Sequence, residues 1–461
     1  MTAPPIHRTD PLPSLAVGGF RQHLLATLRL GLPVTFTRAG VLVMVMLDTA
    51  MTGHFASTDL AWYALAHAAS TTLLLGGIGM MVGAAVLTAQ ALGARSDAEC
   101  GVIWRIAVLH ALGLGGLFAL LCWFGEPVFA LLGQPAELGA GAADVMLLLG
   151  LGLPGQLVFV ASSLFLEALG RPRVGLALMV LANILNAGLN WLLIYGQFGM
   201  PVMGAEGAAL ATTLVRIAMA VAIVAYILVL ADGSRFNVRG RLIDGWAVGR
   251  KFRRLGYPLA LAQSLESLAF ASLTFIAGLL GAEAVAAFQI VINVIALCYM
   301  TAVGIGTAAA VRVGQAVGRG VRSDVALAGW SALTAIVAVM AILSLVLLAL
   351  PWQIAAGFSE DSAVLAIVVP TLLLGALTLL PDGAQGVLMG ALRGTGDVWL
   401  PTAMHLCSFV VVMVPAALLF ALPLGWGVPG LMAGAFCGTT VATLLLAGRF
   451  QRVSRRAIKR L

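Results

Sequence analysis

Apolar residues run in long stretches along this chain, broken at intervals by short polar, glycine- or proline-containing segments. About 20 apolar residues are what a helix needs to cross a bilayer. Twelve such spans are predicted, near residues 22–54, 61–91, 102–124, 140–168, 173–196, 205–231, 255–280, 284–311, 325–350, 364–392, 398–422 and 427–448. With the N-terminus placed inside, the inner loops collect Arg95, Arg171, Arg173, the group from Arg235 to Arg254, Arg312, Arg319, Arg322, Arg393 and the group from Arg449 to Arg460. The outer loops around 55–60, 125–139, 197–204, 281–283, 351–363 and 423–426 carry no Lys or Arg. Basic residues stay on the cytoplasmic side during insertion. The alternation therefore predicts twelve spans with both termini cytoplasmic, and one span more or fewer would scramble it.

The same pattern divides the chain. Residues 1–21, with Pro4, Pro5, Pro11 and Pro13 and no signal-peptide layout, are expected to form a disordered cytoplasmic tail. Residues 22–231 form a first six-helix lobe, 232–254 a basic cytoplasmic linker, 255–448 a second six-helix lobe and 449–461 a basic tail. A repeat supports the division. Leu30-Gly31-Leu32-Pro33 recurs as Leu255-Gly256-Tyr257-Pro258, and Gln90-Ala91-Leu92-Gly93 as Gln315-Ala316-Val317-Gly318, both at an offset of 225. Gly170 pairs with Gly396, and Gly204 and Gly207 with Gly427 and Gly430, at nearly the same offset. Six spans per half give both halves one orientation, so they are related by an axis along the membrane normal. Parallel halves with a cavity between them are a transporter plan.

Composition adds an exclusion. The 461 residues are 61% hydrophobic and 10% charged, where an average globular domain is about a quarter charged. A water-soluble enzyme is excluded. The net charge of +7, from 26 Lys and Arg against 19 Asp and Glu, belongs to the inner loops and implies no nucleic-acid partner. Five cysteines are scattered without a CxxC or a His at ligand spacing, so neither a disulfide framework nor a metal site is expected. Gly150-Leu-Gly152-Leu-Pro-Gly155 satisfies GxGxxG but lies inside a span with no preceding strand, so it is not a dinucleotide site. No phosphate loop, HExxH or GxSxG occurs. No cofactor is expected, and an ion gradient rather than ATP would drive any pumping.

Charges within the spans are the sharpest signal, because each costs about 2.5–3.5 kcal/mol on insertion scales. Asp48, Glu266 and Asp382 lie well inside spans 1, 7 and 10. Asp144, Glu167, Arg38 and Arg216 have a stronger claim to structural ion pairing. Gln263 and Gln385 stand one helical turn from Glu266 and Asp382, and Gln289 with Asn293 forms a polar stripe on span 8. Asn183, Asn186 and Asn190 share one face of span 5. Such amides either line a polar cavity or simply join helices. Under the repeat, Asp48 maps onto Leu273 and Glu266 onto Val41. The scaffold shared by the halves does not demand these acids, which points to separate ion or proton sites.

Several segments together resemble the multidrug and toxic compound extrusion (MATE) family over nearly the whole chain. They are Leu47-Asp48-Thr49-Ala50-Met51-Thr52-Gly53, Gln90 with Gly93, Asn186 to Trp191 followed by Tyr195-Gly196, Gln289 with Asn293, and Asp382 through Leu392-Arg393-Gly394-Thr395-Gly396-Asp397. Glu266 with Asp382 is more similar to the NorM-like branch. The resemblance implies an all-α polytopic fold of twelve helices in two pseudo-symmetric bundles, acting as a monomer in a cell membrane, the bacterial inner membrane. It implies a secondary antiporter, not an enzyme, exporting small organic and often cationic compounds in exchange for H+ or Na+. By the same resemblance Glu266 and Asp382 would bind the coupling cation, Na+ included, Asp48 with Asn186 and Asn190 would form the first lobe's protonatable site, and Pro33 would mark where span 1 bends. Asn190 departs from the family pattern, standing where some members carry a second acid. The alternative within the superfamily is export of a lipid-linked saccharide or natural product, which calls for a basic cavity; only Arg38 and Arg216 qualify in the first half.

Overall fold

The computed structural model describes residues 19–230, 232–240, 245–358, 361–456 and 460–461. Twelve helices are long and apolar enough to cross a membrane: α1 (Phe20–Phe55), α2 (Ser57–Gly93), α3 (Asp97–Cys122), α4 (Ala136–Ala168), α5 (Pro172–Ile194), α6 (Gly204–Leu228), α7 (Gly245–Leu279), α8 (Glu283–Arg319), α9 (Arg322–Ala349), α10 (Ser362–Thr395), α11 (Trp399–Ala421) and α12 (Val428–Ser454). Each expected span finds its helix. The helices run further than the apolar stretches at the basic end. The seventh was expected from residue 255 but begins at Gly245, so Arg250, Lys251, Arg253 and Arg254 lie on α7 and not in a linker. The tail expected from residue 449 is likewise helical through Ser454. Hydropathy reads the part of a helix that sits in lipid, and a helix continues into water wherever its backbone bonds are kept. The tail expected at 1–21 falls outside the described residues up to position 18.

The repeat acquires physical reasons. Gly170 and Gly396 follow the ends of α4 and α10 with φ of +78° and +84°, the left-handed conformation that closes a helix and suits glycine. Gly93 and Gly318 lie face to face with the opposite repeat: Gly93 abuts the backbone of Gln315, and Gly318 abuts that of Gln90. Any side chain at either position would collide.

Two buried apolar cores correspond to the two lobes, with one exchange between them. Val248, Phe252, Leu255 and Leu259 from the start of α7 belong to the first lobe's core, while Leu24 and Leu28 from the start of α1 pack on the second lobe's core. Each lobe's leading helix thus crosses to the other at the basic end. Small residues permit the approach. A methyl group at Gly304 of α8 would stand 2.6 Å from the Thr35 backbone nitrogen of α1, and one at Gly79 of α2 would stand 2.6 Å from the Leu259 carbonyl oxygen of α7. With apolar lipid on the outside, close van der Waals packing of this kind is what holds helices together.

Hydrogen bonds between the lobes gather in the same basic half. Gln90 Nε2 donates to the Gly394 carbonyl (3.0 Å), and its repeat counterpart Gln315 Nε2 donates to the Ala168 carbonyl (3.1 Å). Both acceptors lie at the C-terminal ends of their helices, where carbonyls lack intrahelical partners. Arg312 of α8 donates to Thr27 of α1 (3.2 Å) and to the His23 carbonyl. Arg460 binds Ser96 and Glu99, and the Leu461 N–H reaches the Gln90 Oε1 (3.1 Å). The lobes are joined from the basic end to about mid-helix, where Gly76 faces Ser264.

Candidate functional site

Asp48 lies in the centre of the first lobe and is 1% exposed. Three helices converge on it. Its Oδ1 accepts from Asn190 Nδ2 of α5 (2.6 Å), and its Oδ2 accepts from the Tyr63 hydroxyl of α2 (2.8 Å) and the Thr212 hydroxyl of α6 (2.6 Å). Asn186, one turn before Asn190, accepts from Asn190 Nδ2 (3.3 Å) and donates to Thr212 (3.3 Å). These bonds fix the orientation of the Asn190 amide, because its nitrogen faces two acceptors. Its oxygen is consequently buried with no donor. A buried acceptor left alone costs about 1–3 kcal/mol. Asp48 makes no ion pair within 4.0 Å among the described residues. The site is therefore a carboxylate held by neutral donors beside an orphan oxygen, an arrangement complementary to an added proton or small cation.

Asn183, expected in the same polar group, donates instead to the carbonyls of Gly40 (3.1 Å) and Met179 (2.9 Å). It joins α5 to α1. Pro33 lies inside the continuous helix α1, where it removes the N–H that would bond the Arg29 carbonyl; the Thr37 hydroxyl donates to the Pro33 carbonyl (2.9 Å).

The second lobe holds a looser group. Asp382 is 4% exposed and accepts from Gln385 Nε2 (3.3 Å), while the Gln385 oxygen is buried without a donor, as Asn190's is. Glu266 is half-buried and accepts from the Tyr299 hydroxyl of α8 (3.3 Å). Tyr299 also lies over Gly386, where an added methyl would stand 3.3 Å from its hydroxyl oxygen. Gly386 is one turn beyond Asp382, so this hydroxyl links Glu266 to the face of α10 that carries Asp382. The carboxylates, the hydroxyl and the orphan amide oxygen are all oxygen donors of the kind that hard cations take. Among the described residues no cluster of three or more His, Cys, Asp or Glu suits a transition metal. Gln263 is half-buried and Gln289 and Asn293 are exposed, and none of the three makes a side-chain hydrogen bond among the described residues. Sharing a helix face placed them near the acids in sequence without bringing them into contact.

The intramembrane cations separate. Arg38 donates to Glu167 (3.1 Å), which also accepts from Ser163 (2.9 Å), an ion pair between α1 and α4. Asp144 is exposed. Arg216, 7% exposed, instead lines a small cavity of about 10 Å³ together with Asp48, Tyr63, His67 and Gln156. Tyr63, Thr212 and Tyr299 are the residues the site adds to the sequence reading, and Arg216, read there as a candidate for ion pairing, stands in the cavity instead. Lone Tyr and Thr residues in apolar spans carry no signal of their own, since either also packs as a core side chain.

A family model described as MatE matches residues 33–192 and 258–419. The two matched segments begin at Pro33 and Pro258, the prolines of the repeat. The probable multidrug resistance protein NorM of Caulobacter vibrioides is 34% identical over 446 residues, covering 96% of this chain and 95% of the relative. The protein of the same description from Bradyrhizobium diazoefficiens is 32% identical over 458 residues, covering 98% of each. Among solved structures, a eukaryotic MATE transporter superposes with a TM-score of 0.86 at 20% identity, covering 95% of this chain and 99% of its own. An outward-facing multidrug resistance MATE family transporter of the MOP superfamily gives 0.86 at 19% identity, covering 97% of this chain and 100% of its own. These structural likenesses speak to the fold.

Proposed function

The chain belongs to the MATE family, and we propose from that premise that it exports small organic compounds, often cationic and amphiphilic, in exchange for H+ or Na+. The observation that carries the coupling is Asp48, buried among neutral donors beside an orphan amide oxygen and with no ion pair. A proton added to this carboxylate, or a Na+ bound by it, supplies what the Asn190 oxygen lacks. Asp382 beside Gln385, with Glu266 and Tyr299, forms the second lobe's cation site on the same logic. The basic end is cytoplasmic by the distribution of Arg and Lys. The lobes joined at that end then describe a state open to the outside, and alternating access consists of parting them there and closing them opposite.

Ion binding does work only through its difference between the two states. Loading the carboxylates favours the outward-open form and substrate release; return of the neutralised sites to the cytoplasm resets the cycle. The protein acts as a monomer in the bacterial inner membrane, because both sites lie within one chain. The saccharide-exporter alternative has less support. Arg38 is neutralised by Glu167, so of the two arginines that could serve a basic cavity in the first lobe only Arg216 lacks an ion pair among the described residues.

Reconstituted vesicles test the proposal. Ethidium efflux is measured under a pH gradient alone and under a Na+ gradient alone, for the wild type and for Asp48→Asn, Glu266→Gln and Asp382→Asn. Gradient-driven efflux that falls to background in Asp48→Asn and in at least one second-lobe variant is the expected result. Full transport by all three variants would sink the assignment.

A further inference from the structure

We propose that the first lobe's cavity is a binding site for one compact monovalent anion, held by Arg216 and admitted when Asp48 carries a proton. The inference deepens the antiporter reading and rests on it only for the identity of Asp48 as the group that is protonated.

The argument begins with the GxGxxG segment that serves no nucleotide. Helix α4 is interrupted at Gly152, between Leu151 and Leu153, with Pro154 following. At the break the Gly152 N–H turns to the Leu149 carbonyl (3.1 Å) instead of that of Leu148, and Pro154 has no N–H to give the Gly150 carbonyl; α6 adds donors to this stretch. The Thr213 hydroxyl donates to the Leu148 carbonyl (2.6 Å), and Arg216 Nη1 reaches the Leu149 carbonyl at 3.4 Å. The glycines make room for this. A methyl at Gly152 would stand 3.1 Å from the Arg216 Cδ, and one at Gly155 would stand 3.0 Å from the Arg216 carbonyl oxygen. The segment is a glycine groove in α4 that seats the stem of Arg216 and directs its guanidinium toward Asp48.

That guanidinium is under-used. It carries five N–H donors, and one long hydrogen bond engages one of them. The residue as a whole is 7% exposed, and among the described residues no carboxylate lies within 4.0 Å of its guanidinium. A buried charge without compensation is costly. Asp48 shares its cavity, but the three hydrogen bonds it accepts come from Asn190, Tyr63 and Thr212 and none from Arg216. While Asp48 is ionised, the opposite charges balance through space. Once it is protonated, the guanidinium faces the cavity alone. The other titratable groups facing this space are Tyr63 and His67 of α2, with Cys122 of α3 behind Gly150, and none of them is a standing anion. The Gln156 amide lies on the same wall. The cavity, at about 10 Å³, has the size that holds one water, which favours a single small anion over a phosphate. Proton and anion then enter as a neutral pair, which spares the apolar lobe a net charge in either state of Asp48.

Chloride is the probe, and binding is read directly from the broadening of its NMR resonance by full-length protein in lipid nanodiscs. Wild-type protein is expected to bind chloride more tightly in acidic than in alkaline buffer. Asp48→Asn, which fixes a neutral side chain, binds it at both. Arg216→Gln weakens binding about tenfold or more, as expected when a charge-assisted contact becomes neutral, and Arg216→Lys keeps part of it and guards against misfolding. Displacement of chloride by acetate extends the occupant to carboxylates, and failure to displace confines it to halide; both support the site. Equal chloride binding in wild type and Arg216→Gln, or no gain in Asp48→Asn over the wild type in alkaline buffer, would overturn it. Since the readout is binding, a wild type that binds chloride but exports no drug would refute the antiporter reading and leave this one standing.

Discussion

The paired glutamines at the basic end make a quantitative prediction. Gln90 is 1% exposed and donates to the Gly394 carbonyl, and Gln315 donates to the Ala168 carbonyl across the pseudo-twofold axis. Both acceptors are helix-terminal and find water once the lobes part, but among the described residues it is the glutamines that serve them while the lobes are joined. Replacing each glutamine by alanine therefore taxes the joined state alone. A hydrogen bond contributes about 1 kcal/mol net, and a carbonyl left dry costs about 1–3 kcal/mol. Taking about 1 kcal/mol for each, the double variant loses about 2 kcal/mol, which is about 30-fold in the ratio of joined to parted forms. The sites adjoin through Gly93 and Gly318, so the pair is expected to depart from additivity. Spin labels at Ala98 and Ser323, both exposed at the basic end of their helices, report the separation by pulsed electron resonance. A second, longer distance should appear in Gln90→Ala/Gln315→Ala and grow relative to either single variant. An unchanged distance distribution in the double variant would refute the idea that these amides hold the lobes together.

Other perturbations follow from the same geometry. Arg38→Met strands Glu167 in the bundle and should lower stability by about 3–5 kcal/mol, whereas Arg38→Met/Glu167→Met recovers most of the loss; thermal unfolding in detergent that ranks the two equally would refute the pairing. Gly304→Val places a side chain against the Thr35 backbone and should prevent α1 and α8 from joining, seen as lost cross-linking between cysteines at the basic end. Asn190→Leu and Thr212→Val each remove a hydrogen bond to a charged acceptor, worth about 1.5–3 kcal/mol, so proton uptake by vesicles should change while drug binding persists; unaltered proton uptake in both would count against Asp48 as a coupling group. Gln289→Leu and Asn293→Leu remove exposed, unbonded amides and should alter stability by no more than about 0.5 kcal/mol, checked by the same unfolding assay.

The sequence by itself determined the number of spans, the duplication and the three acids worth attention. Those properties are written along one dimension: a run of apolar residues reports a span, an offset of 225 reports a repeat, and a carboxylate inside a run stands out because the surrounding medium makes it costly. It also determined which residues share a helix face, as Asn186 and Asn190 do, one donating to the other. What it could not specify was which way each face turns. Lipid and a packed helix interface are both apolar, so a face gives little sign of which of them it meets; Gln289 with Asn293 and Asn186 with Asn190 read alike, yet the first pair is exposed and the second lies at Asp48. Tyr63 and Thr212 reach that carboxylate from helices 15 and 164 residues away. The tertiary structure alone also separated two arginines of similar appearance. Arg38 meets Glu167, while the break in α4 leaves Arg216 facing the cavity that contains Asp48. Pairing between helices is settled by close packing in three dimensions, and in this chain glycines distant in sequence set that packing.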